Sequence, residues 1–180
     1  MRSNINKVEK NVRYQVSSFE ESWESAWKRP LYHSMLPSIF CKEMKAARKK
    51  GEQAIFFRLD RATRHGQDAA ALEKEDIHEG GLSLSTLQDF QTAFQSMDLN
   101  KFSLYCCTGA ENAAFLGALS AYQRSNGENV RALKGILAAD PLGVLAEEGT
   151  LPIGLAELYD ELAQTVLWGD KNRGFTTLCG

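Results

Sequence analysis

The sequence predicts an α/β fold built of parallel βα repeats that form about half of a TIM-type (β/α)8 barrel. Three observations carry this expectation. Short, continuous apolar runs (QAIFFRL at 53–59, KFSLYCC at 101–107, LKGILAA at 133–139 and FTTLCG at 175–180) alternate with segments whose apolar residues recur at helical spacing. Such runs read as strands buried on both faces, which pair in parallel through right-handed crossovers. No G-x-G-x-x-G and no P-loop follows any of them, so an open nucleotide-binding sheet lacks its usual signature. Four strands are half of the eight that a closed barrel of about 250 residues requires.

Taken in order, FEESWESAWKRPLY at 19–32 places Phe19, Trp23 and Trp27 on one helical face before Pro30 stops it. SIFCKEMKAARKKG is a helix capped by Ser38 and ended by Gly51. The first strand spans 54–59. DAAALEKED, inside the charged stretch from Asp60 to Gly81, offers a turn or two of helix, and a further short strand is expected at 82–84. Ser85 and Gln88 form a capping box for a helix with Leu87, Phe90, Phe94 and Met97 on its apolar face. The second strand covers 102–107. Thr108 and Glu111 form another box, so a helix bearing Phe115, Leu119 and Tyr122 starts at once and ends at Asn126-Gly127. After the third strand at 133–138, Asp140 caps a short helix with Pro141 in its first turn and Gly149 at its end. A longer helix aligns Leu155, Leu158, Leu162 and Val166, and the fourth strand covers 175–179.

Of the 180 residues, 43% are hydrophobic and 24% charged, a globular balance, and the formal charge of -2 argues against a nucleic-acid footprint. The basic clusters at 42–50 and 58–65 sit beside acidic residues and read as solvated faces. The four cysteines are too scattered for a disulfide framework, and Cys106 and Cys107 point to opposite faces of their strand. All four read as small buried hydrophobes in a reducing compartment, and His33, His65 and His78 give no metal-ligand pattern. The N-terminus has no apolar leader, and no run is long enough for a membrane span, so a cytoplasmic location is expected.

The candidate site lies in FFRLDRATRHGQD, where an apolar strand ends in charge. Asp60, Arg64 and His65 fall just beyond the carboxyl end of the first strand, where barrel enzymes keep their working groups, and could hold a phosphate or carboxylate. The plainer alternative is a turn fixed by mutual charge pairs. Asp140 is a fourth candidate, already explained as a cap. No nucleophile or second base stands beside them in sequence, so no catalytic residue is assigned.

LDRATRHGQD at 59–68, GLSLSTLQDF at 81–90 and ADPLGVLAEEGTLP at 139–152 resemble the small subunit of methylmalonyl-CoA mutase. The likeness covers about Lys45 to Gly180. It implies a partial (β/α)8 barrel of acyl-CoA mutase type over 46–180, preceded by a helical segment at 1–45. The family's activity is adenosylcobalamin-dependent isomerisation of methylmalonyl-CoA to succinyl-CoA by a radical route. In its heterodimers the large chain carries the chemistry, and the small chain is an inactive copy. Catalytic chains resemble G-T-I-Q-N-D on the third strand, with the glutamine facing substrate. Here Gly135 to Asp140 reads G-I-L-A-A-D, so Ala138 replaces that amide. Against F-D-L-A-T-H-R-G-Y-D, Arg58, Leu59, Asp60 and Arg61 occupy the start of the block. Gln67 replaces the tyrosine, while Thr63, Gly66 and Asp68 survive.

The resemblance thus implies a small, non-catalytic subunit, or a fragment of one, that supports a large catalytic mutase chain. No cofactor is expected on this chain, on the expectation that the cobalamin motif D-x-H-x-x-G is missing from it; adenosylcobalamin is implied for the holoenzyme alone. The alternative is a free-standing half-barrel scaffolding module without enzyme activity. In that case the unpaired edges of strands one and four, and inner side chains (Ile55 and Phe57, or Phe56), would drive self-association.

Overall fold

Residues 36–66, 80–110, 112–172 and 175–179 are described by the structure, a computed structural model. They form a four-stranded, all-parallel sheet with strands in chain order: β1 (Ala54–Arg58), β2 (Ser103–Gly109), β3 (Lys134–Ala139) and β4 (Phe175–Cys179). The helices are α1 (Pro37–Lys49), α2 (Arg61–Arg64), α3 (Leu87–Ala93), α4 (Ala113–Ser125), α5 (Pro141–Glu148) and α6 (Leu155–Lys171). Strand order following chain order, with helices between successive strands, is that of a partial (β/α) barrel. The stretches 19–32 and 68–76, read as helical from sequence, lie outside the described residues. Among the described residues no helix is long and apolar enough to cross a membrane.

The strands are buried on one face rather than two. Ile55 and Phe57 on β1, Leu104 and Cys106 on β2, and Leu137 on β3 point toward the helices and are at most 2% exposed. There Phe40, Phe57, Phe90, Phe94, Phe115 and Tyr122 pack ring to ring, edge-on or tilted, with centroids 5.4 to 6.3 Å apart. On the other face Phe56, Tyr105, Ile136 and Thr176, neighbours by strand register, are only partly buried. A run apolar at every position suits a barrel strand, whose second face meets the barrel axis. Phe56, not Ile55 or Phe57, is therefore the inner residue. Cys106 and Cys107 do face opposite ways, but Cys107 is partly exposed rather than buried.

Several boundaries moved for local reasons. Ser38 is inside α1; Leu36 is its N-cap, and Pro37, with its preset φ, opens the helix. The capping box of α3 is Thr86–Asp89 rather than Ser85–Gln88. The Asp89 carboxylate accepts from the Ser85 and Thr86 backbone N–H groups, and a carboxylate suits a helix N-terminus better than an amide. Leu87 is then exposed, and Ala93 joins the buried side. Thr108 continues β2 instead of capping a helix; its hydroxyl contacts the Asn112 side-chain oxygen and the Ala138 carbonyl, and α4 begins at Ala113. On α6 the buried stripe is Leu158, Leu162, Thr165 and Gly169, since a period of 3.6 carries Val166 off the face; Val166 is 52% exposed.

The outer edge of β1 is not fully open. Leu82 bridges to Leu59 in parallel, taking the Arg58 carbonyl and the Asp60 N–H at 2.8 and 3.0 Å. Only a glycine allows this approach at position 81, because a Cβ there would lie 2.5 Å from the Arg58 and Leu59 backbone.

Candidate functional site at the carboxyl ends of the strands

The charged turn after β1 faces α5, the helix that follows β3. Arg58 Nη2 donates to Glu147 Oε2 at 2.8 Å, and Arg61 Nε donates to Glu148 Oε2 at 3.3 Å. Arg64 Nη1 stands 3.0 Å from Glu148 Oε1 and 3.9 Å from Glu147 Oε2. His65 Nε2 is also bonded to Glu148 Oε2. An ionised carboxylate can only accept, so that ring nitrogen carries the proton. The charges of the first turn are thus paired chiefly across the mouth of the sheet, over β2.

Local structure aims each group. Asp60, fully buried, caps α2 by accepting from the Thr63 N–H at 2.9 Å, which turns the chain so that Arg61, Arg64 and His65 project toward α5. Arg64 reaches its partners by lying over Gly109, whose φ is +80; a Cβ there would sit 2.8 Å from three carbons of the Arg64 stem. On the opposite side Asp140 caps α5 by accepting from the Gly143 N–H at 2.7 Å, Pro141 fills its first turn, and Gly149 closes it at φ 74. That ending places Glu147 and Glu148 at a helix C-terminus, where the dipole disfavours negative charge and cations are needed. Two adjacent acids before a closing glycine were the signal in the sequence that could have revealed the missing partners.

Electrostatics follow burial. Burial pushes the Glu148 carboxyl up, but the His65 hydrogen bond, the charges of Arg64 and His65, and the Arg61 hydrogen bond outweigh it and hold the group below its ordinary value. Burial and the nearby Arg58 pull the Arg64 guanidinium down, against the support of Glu148, Glu147 and Asp60. Burial raises the Cys107 thiol, with Arg58 and Arg64 countering only in part, so it is not an activated nucleophile. The structure therefore brings Arg64 and His65 together on Glu148, keeps Asp60 beneath them as a cap, and leaves Asp140 as the cap at the far end of α5. In strand register Arg58, Cys107 and Ala138 form the uppermost row of the inner face.

A family model described as methylmalonyl-CoA mutase matches residues 29–176. The chain belongs to the methylmalonyl-CoA mutase family. Comparison with curated proteins gives no match. The mutase match takes in residues 29–45, which the motifs quoted above did not reach.

The cobalamin expectation needs one correction. Asp76-Ile77-His78-Glu79-Gly80-Gly81 does carry the spacing D-x-H-x-x-G. Asp76 to Glu79 lie outside the described residues; of the string, Gly80 and Gly81 are described, and Gly81 is packed on the β1 backbone. His65 is the one histidine among the described residues, and its Nε2 is committed to Glu148. Among the described residues no group of three or more His, Cys, Asp or Glu could hold a metal ion.

Proposed function

We propose that this chain is the small, non-catalytic subunit of an adenosylcobalamin-dependent methylmalonyl-CoA mutase, or the N-terminal half-barrel region of one, and that it supports a large catalytic chain. The observation that carries this reading is the use made of the charges at the mouth. Arg58, Arg61, Arg64 and His65 already hold Glu147 and Glu148, so the groups that could grip a substrate carboxylate or phosphate are engaged within the chain. Two features support it. The upper row offers Ala138 where catalytic chains place an amide. Below it Phe56 stacks on Tyr105, with ring centroids 4.4 Å apart, filling space on the face that borders the barrel axis. This chain supplies no group for bond making; its role is to present a folded barrel surface to the large chain.

Assayed alone with methylmalonyl-CoA and adenosylcobalamin, the purified chain should form no succinyl-CoA and give no cobalamin spectral change. Co-expressed with a catalytic mutase chain, it should co-purify and raise that chain's melting temperature. Turnover by the isolated chain, or a cobalamin spectrum that disappears in His78→Ala, overturns the proposal. The half-open inner face favours a second reading, a free-standing half-barrel scaffold, which predicts binding to some other protein and none to a mutase chain.

A further inference from the structure

The two carboxylates at the mouth are not held alike. Glu148 engages both of its oxygens: Oε2 takes Arg61 and His65, Oε1 stands 3.0 Å from Arg64 Nη1, and the side chain is 6% exposed. Glu147, its neighbour on α5, uses one oxygen only. That Oε2 accepts from Arg58 Nη2 at 2.8 Å and lies 3.9 Å from Arg64 Nη1, while the side chain is 57% exposed. A single exposed pair of this kind contributes little to stability. Its position also opposes it, since Glu147 lies in the last turn of a helix whose dipole favours cations there.

The two guanidinium groups that Glu147 spans are incompletely served. The Arg64 side chain is 5% exposed, and its Nε and Nη1 make no hydrogen bond; Nη1 is near Glu148 Oε1 without being aligned on it. Buried polar groups are normally satisfied. Burial and the nearness of Arg58 both pull the Arg64 guanidinium down, and burial of the Cys107 thiol is countered by the same two arginines. Cys107 is the strand partner of Arg58, so two like charges converge over it and share one carboxylate oxygen. With Glu147 turned outward, Arg58, Arg61 and Arg64 face two carboxylates among the described residues, Asp60 and Glu148. The charge left over is positive, and it lies between Arg58 and Arg64.

We infer that this place is a phosphate-binding site, held in the free chain by Glu147 as an internal carboxylate that a phosphate group displaces. The Glu147 carboxylate meets the two arginines with a single oxygen. A tetrahedral dianion offers oxygens on several sides at once, to the Arg58 fork and to Arg64 Nε and Nη1, the pairing that guanidinium groups favour. Glu148 stays where it is, so the turn after β1 remains joined to α5 while Glu147 exchanges. The site goes beyond the proposed mutase role and does not depend on it.

Inorganic phosphate titrated into the purified 180-residue chain should raise its melting temperature saturably, beyond the effect of chloride at matched ionic strength. Alkylation of Cys107, read on the peptide that carries it, should slow over the same concentrations. Arg58→Gln should abolish both effects and keep the wild-type circular dichroism, because the Arg58 side chain is 36% exposed. Glu147→Gln removes the internal competitor and should tighten phosphate binding about five-fold. Glycerol phosphate titrated in parallel distinguishes a free from an esterified phosphate by which of the two half-saturates at the lower concentration. Three results overturn the inference: no saturable response beyond chloride, an unchanged response in Arg58→Gln, or phosphate binding in Glu147→Gln that is no tighter than in wild type.

Discussion

Arg64 Nη1 stands 3.0 Å from Glu148 Oε1 with both side chains about 95% withdrawn from water, joining the turn after the first strand to the helix after the third. An ion pair so buried is costly to form and costlier to break on one side. Glu148→Gln should destabilise the chain by about 3 kcal/mol, because it leaves a buried guanidinium short of charge. Arg64→Met combined with Glu148→Leu should cost much less than the sum of the single changes. Urea midpoints at constant m-value measure both.

Acid should act through the same carboxylate. Glu148 titrates below its ordinary value of 4.5 in the folded chain, so the folded state binds that proton less readily than the unfolded state does. Its contribution is fully present above about pH 5 and is lost as pH falls through the depressed folded value. Glu148→Gln should flatten the acid limb of the stability curve below about pH 5 and leave the neutral region parallel to wild type, offset by its fixed cost.

Gly109 is required twice over, by its positive φ and by the Arg64 stem above it. Gly109→Ala should cost about 2–3 kcal/mol, the strain of the backbone plus displacement of Arg64. A Gly117→Ala control, in mid-helix with nothing within 4 Å of the new Cβ, should be neutral or stabilising by up to about 1 kcal/mol. Thermal unfolding of the two proteins separates these outcomes.

Neighbouring phenylalanines on β1 should respond very differently. Phe57 is 2% exposed and packs with Phe40, Phe94 and Phe115, so Phe57→Ala should cost about 3–5 kcal/mol. Phe56 lies on the half-open face against Tyr105, and its loss from the monomer should cost about 1–2 kcal/mol. Equal costs would mean that the two faces of the strand have been assigned wrongly.

The strands, their parallel order and the Asp140–Gly149 helix were legible because apolar runs, a Pro after a capping Asp, and a closing Gly are local signals. What escaped reading was set by neighbours distant in sequence. Thr108 stays in a strand because the Ala138 carbonyl is within reach, and the capping box shifts because Asp89 outcompetes Gln88 for the first free N–H groups. Asp60, Arg64 and His65 were found from their place after the strand. Their partners Glu147 and Glu148 lie more than eighty residues away, and only the chain path over β2 brings them together.

The return of Leu82 to the edge of β1 has a practical corollary. Leu82 is fastened to β1 through the Arg58 carbonyl and the Asp60 N–H, and Gly81 lies against the same backbone, so this junction is held by contacts as well as by the covalent chain. Cutting the gene between the codons for Gly66 and Gly80 yields two polypeptides, and expressed together they should reassemble into the same barrel segment. The position is thus a natural point for a split reporter.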